Sequence, residues 1–382
     1  MEAPLRVALD VSILQAPRTG IGEYAYQLGH ALGQLAEPDL VLFDGLRWRD
    51  DLPGASHPGY GPLSRIARTM LPGAYRVRRY LLQRRFNRGV KLLCPDVYHQ
   101  PSLWPLDFDG PVVMTLHDLT HAHYPNTQPA NRLKEIERRL PDSLDRASRI
   151  MVDSQFIANE AMHYYSLPAD KLRIAPLGVA ARFHPRTEHQ LQPCLASLQL
   201  DMRGYYLCIG TLEPRKNLQL AIKAYLGLPV TLRNRMPLLI VGGAGWRREH
   251  MDRIPSRAIS DGHIRLLGYQ GEERVAQLLS GAHALLFPSR YEGFGLPVLE
   301  AMASGTPVIA CHSAAIPEVA GEAALYADAE DTEGFRAQML KLLEDSQLHE
   351  ALRQQGLDRA GTFSWQNCAR ITVDTYKAAR NS

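Results

Sequence analysis

Short apolar runs, many of them rich in Val, Ile and Leu, alternate with longer amphipathic stretches along the chain. Several of these runs are continuously apolar, which is typical of strands buried on both faces of a parallel sheet. The pattern predicts strands at 6–11, 40–44, 97–100, 112–117, 150–153, 172–176, 206–210, 238–242, 264–268, 284–288 and 308–311.

Hydrophobic residues recur at helical spacing between these runs, and the clearest predicted helices are 22–35, 131–147, 218–226, 272–280 and 297–304. Repeated strand–helix units predict the α/β class, with parallel sheets that carry helices on both faces. The alternation stops in a stretch of Pro, His and Gln near 183–200. We therefore predict two Rossmann-like domains that face a cleft, with the boundaries 1–183, linker 184–200, 201–363 and C-terminal helix 364–382.

The net charge of +3 averages two unlike parts of the chain. Between Asp51 and Asp96 there is no acidic residue, and the rest of the chain carries −6. The nine cations of this basic segment, 65–91, are Arg65, Arg68, Arg76, Arg78, Arg79, Arg84, Arg85, Arg88 and Lys91. From residue 82 the spacing is that of an amphipathic helix, whose apolar face is formed by Leu82, Phe86, Val90 and Leu93.

Two interpretations of the basic segment stay open. It binds an anionic membrane surface, where each cation contributes about 1 kcal/mol, or it is an ordinary helix on the first domain with solvated arginines. Nucleic acid is not an expected partner, because few aromatic residues lie among the cations and the rest of the chain is acidic.

Composition excludes several classes of protein. A chain that is 45% hydrophobic and 22% charged is neither disordered nor a coiled coil nor collagen-like. Five scattered cysteines without a C-x-x-C pair argue against a disulfide framework and a zinc site, and they suit a reducing compartment. Charged residues near the N-terminus and the lack of a long apolar run predict a cytoplasmic protein without a signal peptide or membrane span.

The first candidate motif is the glycine pair Gly20 and Gly22, which follows the first strand and opens a helix. Together with Asp44 the pair fits a dinucleotide fingerprint, which would make the chain an NAD(P)-dependent oxidoreductase. The long separation between the strand and Gly20 argues against that alternative, because the fingerprint needs a tight turn. The other interpretations are a phosphate-binding helix start and a flexible glycine loop.

Polar side chains follow two further strands. His117 ends the strand 112–117, where it could bond a hydroxyl, act as a base or be structural. His121 and His123 lie nearby without a ligand-type carboxylate spacing, so no metal site is predicted. Arg215 and Lys216 follow Gly210 just before a helix, which suits a diphosphate better than a solvated pair of surface charges.

The most specific motif is PSRYEGFGLPVLE at 288–300. A strand runs into a glycine-rich turn, and Pro297 opens a helix whose free N–H groups can receive a phosphate. Glu292 lies in the turn, and Glu300 lies where it could accept hydrogen bonds from two vicinal hydroxyls, such as those of a ribose. The structural alternative is a well-capped short helix.

Together these motifs resemble the retaining glycosyltransferases of family 4, which have the GT-B fold. The resemblance covers nearly the whole chain and rests mainly on 210–217 and on 292–300, which is similar to the family's E-x7-E motif. It implies a metal-independent hexosyltransferase that needs no cofactor beyond a nucleotide-sugar co-substrate. It also implies front-face substitution with retention, in which the leaving phosphate helps to remove the acceptor's proton.

The resemblance also implies a role for each site residue. Glu300 would hold the ribose, Glu292 would lie beside the donor sugar, and His117 would touch that sugar near the reacting carbon. Arg215 and Lys216 would neutralise the diphosphate. The remaining donor contacts would come from Gly20, Gly22 and Gly210, from the turn Gly293, Phe294, Gly295 and Leu296, and, at the nucleobase, from Gly268 and Tyr269.

The stretch 117–126 leading into 153–156 resembles bacterial mannosyl- and rhamnosyltransferases of surface polysaccharide assembly. This implies transfer of mannose or D-rhamnose from a GDP-linked donor to a lipid-diphosphate-linked saccharide in O-antigen and lipopolysaccharide biosynthesis, with UDP-hexose as the alternative donor. The enzyme would be peripherally attached to the inner membrane through 65–91. A non-catalytic, membrane-associated scaffold is the third hypothesis, and the intact glutamates and Arg-Lys pair argue against it.

Overall fold

Two parallel sheets form the framework of the protein. The computed structural model describes residues 4–15, 20–53, 74–211, 213–243 and 254–382, without the side chains of 74–78. The first sheet has the order β3-β2-β1-β4-β5-β6-β7 and is parallel except for the β2–β3 pair. Its strands are β1 Arg6–Asp10, β2 Asp39–Phe43, β3 Trp48–Arg49, β4 Val97–Gln100, β5 Val112–Leu116, β6 Arg149–Val152 and β7 Leu172–Ile174.

The second sheet is parallel throughout, in the order β10-β9-β8-β11-β12-β13. Its strands are β8 Tyr206–Ile209, β9 Leu238–Val241, β10 Ile264–Gly268, β11 Ala284–Phe287, β12 Val308–Cys311 and β13 Ala324–Ala327. Each strand predicted from the apolar pattern is present, and the α/β prediction is confirmed. The short edge strands β3 and β13 were missed, because β3 has only two residues and β13, although apolar, is a four-residue stretch without a β-branched side chain.

Helices cover both faces of each sheet. In the first half they are α1 Gly20–Gly33, α2 Ala74–Leu93, α3 Thr120–His123, α4 Ala130–Arg146 and α5 Gln155–Tyr165. The second half has α6 Glu188–Ala196, α7 Leu218–Leu226, α8 Val230–Arg233, α9 Ser256–Ser260, α10 Glu272–Gly281, α11 Leu296–Ala303, α12 Ile316–Ala320, α13 Thr332–Glu344, α14 Ser346–Ala360 and α15 Trp365–Arg380.

The stretch interpreted as a linker contains the helix α6. Thr187 and Gln190 form a reciprocal capping box at its start. Leu191 and Leu195 are buried, and the helix packs against α10. The capping pair and the four-residue spacing of the leucines are helix signals that composition alone concealed.

The last helix, α15, returns to the first domain and packs against α1. Trp365 at its start is buried, and a side-chain carbon on Gly178 would lie 2.1 Å from the Trp365 backbone nitrogen. Only glycine therefore fits at 178. The segment that leads into the linker and the start of the returning helix α15 are therefore in contact at this point.

The basic segment is helical where the structure describes it. Phe86 is fully buried against Phe43, Trp48 and Tyr98, with ring centroids 4.7–5.4 Å apart. The predicted amphipathic pattern is present: the apolar face packs on the domain, and four cations are exposed on the opposite side, namely Arg84, Arg85, Arg88 and Lys91. Arg65 and Arg68 lie outside the described residues, as do the side chains of Arg76 and Arg78.

No helix in the described ranges is long and apolar enough to cross a bilayer.

The contrast between Phe86 and Leu92 on α2 tests this packing. Phe86→Ala should lower the free energy of unfolding of the first domain by about 3–5 kcal/mol, because it leaves a cavity in an aromatic cluster. Leu92 is 78% exposed, so Leu92→Ala should change it by less than about 0.5 kcal/mol. Urea titration followed by circular dichroism measures both. Equal losses in the two variants would contradict the packing described.

Candidate active site

Glycines end three neighbouring strands of the second sheet. Gly210 follows β8, Gly242 follows β9, and Gly268 ends β10. The N–H of Gly210 donates to the carbonyl of Val241 at 3.0 Å, and the N–H of Gly242 donates to the carbonyl of Gly268 at 2.9 Å. This bare edge leaves room for a ligand to approach the main chain at the carboxyl ends of the strands.

Two cations and a carboxylate meet beside this edge. The Arg215 Nη1 donates to Glu292 Oε2 at 3.0 Å, and Lys216 Nζ donates to Glu292 Oε1 at 2.6 Å. Arg215 also donates to the Tyr291 carbonyl at 3.0 Å and to Glu213 Oε2 at 3.2 Å. The two predicted motifs thus meet in space, although more than 70 residues separate them in the chain.

The ionisation of these groups follows from their mutual contacts. Burial on its own raises the pKa of Glu292, but the neighbouring Lys216 and Arg215 outweigh it and lower that pKa to about 2. Burial lowers the pKa of Lys216, and the Glu292 carboxylate opposes the shift. Glu292 is therefore an anion that already occupies the position between the two predicted diphosphate ligands.

The turn after Glu292 leads into α11 with its N–H groups unused. Gly295 caps this helix with a φ of 104°, a left-handed conformation that favours glycine. The backbone N–H groups of 293–296 contact no acceptor in the described part of the chain. Since Pro297 follows at the helix start, the turn presents a cluster of free donors of the kind that binds an anion.

Glu300 lies one turn further along α11, half-buried and close to two other carboxylates. Burial, together with the neighbouring Glu23 and Glu272, raises its pKa to about 8 against the opposing effect of Arg182. Arg182 joins the domains here: it donates to Glu23 at 2.8 Å and pairs with Glu272 at 3.0 Å. Among the described residues, nothing hydrogen-bonds the Glu300 carboxyl group, which leaves it available to a ligand.

His117 is held at both ring nitrogens. Nδ1 lies 2.7 Å from Asp153 Oδ2, and Nε2 lies 3.2 Å from the carbonyl of Pro101. Burial lowers the pKa of His117, but the Asp153 carboxylate more than compensates and raises it overall. The Pro101 carbonyl is an acceptor, and so is Asp153 when ionised, so both ring nitrogens are placed to donate. The ring is not a free base here, and the predicted contact with a sugar would replace the Pro101 carbonyl.

A chain of buried hydrogen bonds lies beneath His117. Thr115 Oγ1 contacts the Tyr24 hydroxyl at 3.0 Å and His99 Nε2 at 2.9 Å. His99 Nδ1 contacts the Tyr376 hydroxyl of α15 at 2.7 Å. Burial and, to a smaller extent, the neighbouring His117 lower the pKa of His99 to about 3, so His99 stays neutral. The C-terminal helix thus supports the strand that presents His117.

The dinucleotide alternative does not fit the geometry. Asp44 should bond a ribose in that interpretation, yet its carboxylate accepts the N–H groups of Leu46 and Arg47 at 2.8 and 2.9 Å and lies 3.5 Å from Arg49. Asp44 closes a turn, and the oxidoreductase hypothesis is not favoured. Gly20 and Gly22 begin α1, as predicted for a helix start.

The other predicted site residues have simpler environments. Tyr269 is 58% exposed directly after Gly268, so it is open to a ligand. His121 contacts the Tyr165 hydroxyl, and His123 pairs with Glu160 at 2.7 Å. Over the described ranges, no three His, Cys, Asp or Glu side chains gather as a metal-ligand set.

Several residues of the site escaped sequence reasoning. They are Glu23, Asp153, Arg182 and Glu272, together with the strand-end glycine Gly242. Gly242 had a local signal, because it follows a predicted strand. Asp153 had a similar signal, because it ends the predicted strand 150–153, and its partner His117 follows a neighbouring strand of the same sheet. Glu23, Arg182 and Glu272 gain their role where the two domains meet, for which the local sequence offers no signal.

Comparisons with known proteins cover both halves of the chain. Residues 18–183 match Glycosyltransferase Family 4, and residues 196–359 match Glycosyl transferases group 1. The O-antigen chain mannosyltransferase B of Escherichia coli is 33% identical over 379 residues, which is 98% of this chain and 100% of that protein.

Solved structures share the whole fold. Sucrose-phosphate synthase from Thermosynechococcus elongatus has a TM-score of 0.72 at 21% identity, over 98% of both chains. WaaG, a glycosyltransferase involved in lipopolysaccharide biosynthesis, has a TM-score of 0.70 at 17% identity, over 97% of this chain and 99% of that one. The fold is therefore GT-B, and the chain belongs to the glycosyltransferases of family 4, as the motifs predicted.

The raised pKa of Glu300 predicts a pH-dependent stability. The folded pKa of about 8 exceeds the ordinary value of 4.5, so between these pH values the folded protein binds more protons than the unfolded chain and loses stability as pH rises. Glu300→Gln should remove about 1–3 kcal/mol of that loss.

Chemical denaturation of the ligand-free protein at about pH 5 and pH 8 measures the effect. The control is Glu137→Gln, an exposed carboxyl group on α4, which should leave the pH slope as in the wild type. A Glu300→Gln variant with the wild-type slope would refute the assignment.

Proposed function

We propose that this chain is a retaining, metal-independent mannosyltransferase that uses a nucleotide-sugar, GDP-mannose in preference to UDP-hexose, and extends a lipid-linked saccharide of the O-antigen type. The observation that carries the proposal is the Arg215–Lys216–Glu292 cluster beside the free N–H groups of 293–296. The relative that matches this chain over its full length is named a mannosyltransferase, which supports mannose over D-rhamnose as the transferred sugar. The GDP preference rests on the resemblance.

Donor binding would exchange one anion for another. In the ligand-free protein the Glu292 carboxylate neutralises Lys216 and Arg215, and the diphosphate would take over part of that role. Lys216 has the simpler set of contacts, whereas Arg215 also holds Glu213 and the Tyr291 carbonyl. We therefore assign Lys216 as the main phosphate ligand and Arg215 as a second cation that also holds the turn.

The leaving group would be stabilised by positive charge that the protein already has in place. Two cations and the start of α11 would face the charge that develops on the departing phosphate. The Glu292 carboxylate is bound by two cations, which makes it a poor covalent nucleophile and favours front-face substitution. The vicinal ribose hydroxyls would hydrogen-bond the Glu300 carboxyl group, which has no competing hydrogen bond in the described part of the chain.

The acceptor would be presented at a membrane. On the outer side of α2, the exposed cations Arg84, Arg85, Arg88 and Lys91 are accompanied by exposed Tyr80, Leu81 and Leu92. Cations beside apolar side chains suit the interface of an anionic bilayer, where an acceptor with a lipid diphosphate would reside. Peripheral attachment of the first domain to the inner membrane would bring such an acceptor to the cleft from the cytoplasmic side.

Donor choice and site roles are tested with purified protein. GDP and GDP-mannose should raise the melting temperature more than UDP, ADP or their sugars do, because selective binding stabilises the folded state.

Lys216→Ala and Glu300→Ala should each lower mannosyl transfer at least about 100-fold, while Lys223→Ala, at an exposed position on α7, stays at wild-type activity. Full activity of both site variants would overturn the proposal, and NMR of the product anomer reports retention.

Membrane attachment is tested by liposome sedimentation. Arg84→Ala/Arg85→Ala/Arg88→Ala should reduce binding to anionic vesicles by about 100-fold, since three cations near the surface are worth about 3 kcal/mol. The matched control, Arg138→Ala/Arg257→Ala/Arg370→Ala, removes three exposed arginines from other surfaces and should bind as the wild type does. Equal binding of both triple variants would exclude α2 as the docking surface.

A further inference from the structure

Tyr291, the residue just before the turn at 292–296, inserts its side chain into the first domain. Its ring is 4% exposed and packs among His123, Tyr124 and Phe156, with centroids 5.1, 5.8 and 6.0 Å away. Its hydroxyl accepts the Leu119 N–H at 3.0 Å and donates to the carboxylate of Glu160. A residue of the second domain therefore fills a pocket of the first with both its apolar and its polar parts.

Glu318 makes a second contact between the domains, at the cleft rim. From the first turn of α12, its two carboxylate oxygens accept the N–H groups of Gln155 at 2.7 Å and Phe156 at 3.1 Å. These are the first two residues of α5 in the other domain. A helix start leaves such N–H groups without intrahelical partners and favours a negative charge. One domain thus supplies the cap for a helix of the other.

Both contacts adjoin the site in the chain. Glu292 and Gly293 follow Tyr291 directly, and the Gly293 carbonyl accepts the Ser154 hydroxyl at 2.7 Å. A side-chain carbon on Gly293 would lie 1.8 Å from the His117 carbonyl, so the domains meet main chain to main chain there. Ser154 in turn follows Asp153, the partner of His117.

We infer that Tyr291 and Glu318 are positioning residues, which hold the His117–Asp153 pair of the first domain against the Glu292–Lys216 pair of the second. Losing their polar contacts shifts the domains toward a more open arrangement. The chain stays folded in that arrangement, because each domain keeps its own sheet and the connections at Gly178 and Trp365 stay intact. This inference goes beyond the proposed function and does not depend on which donor is bound.

The primary test measures the distance between the domains and requires no substrate. Cys94 in the first domain is exposed and the other four cysteines are buried, so it can carry one spin label. Gln347→Cys, at an exposed position on α14, carries the second. Pulsed electron resonance on this full-length background compares Tyr291→Phe, Glu318→Gln and the double variant, each of which keeps the side chain's size.

The expected result is a single narrow distance for the parent and a broader distribution with an added longer distance for the double variant. The matched controls are Tyr206→Phe, whose hydroxyl bonds the Met339 carbonyl within the second domain, and Glu350→Gln, which pairs with Arg353 on α14. Both should keep the parent distribution. An unchanged distribution in a folded double variant overturns the inference.

A kinetic arm separates positioning from general damage. If closure is restored by bound donor, the double variant should show an increase of about tenfold in donor KM with little change in kcat, because only the fraction of competent conformers falls. The controls should keep both constants. A lower kcat at unchanged KM would contradict the inference. A third outcome is that the double variant opens but no form of the protein, wild type included, transfers mannose. That result would support this inference and refute the proposed function.

Discussion

The organisation of the site depends on the two ion pairs that the buried Glu292 carboxylate forms with Arg215 and Lys216. Two adjacent cations are costly to bury without an anion, because desolvation and mutual repulsion both oppose them. Glu292 provides that anion, and its low pKa of about 2 keeps it charged. A diphosphate can then enter a site where the compensating charges are already oriented.

The same turn connects the site to the domain arrangement. Arg215 holds the Tyr291 carbonyl from the second domain, and Ser154 holds the Gly293 carbonyl from the first. The segment 291–293 therefore contacts both domains of a GT-B enzyme. The Glu292 carboxylate lies between a residue held by the second domain and one held by the first. The supporting contact at the back of the first domain comes from α15, through the bond between Tyr376 and His99.

Much of this could be predicted from the residues alone. Continuous apolar runs are a local property, so the strands and the parallel sheets were found, and the turn 292–300 carried its chemistry in its own spacing. The helix in 188–196 was missed because a capping box was not weighed against composition. Arg182 and Glu23 were missed because their role arises only where α1 and α10 approach each other.

The sequence by itself determined the fold class and the family, since strand periodicity and short motifs act over a few neighbouring residues. Only the tertiary structure decided how the site residues are used. It pairs Glu292 with Lys216, places both ring nitrogens of His117 to donate to Asp153 and Pro101, and raises the pKa of Glu300 beside Glu23. These effects depend on burial and on the distances between segments that are far apart in the chain. Strand order and the contact between the domains set that burial and those distances.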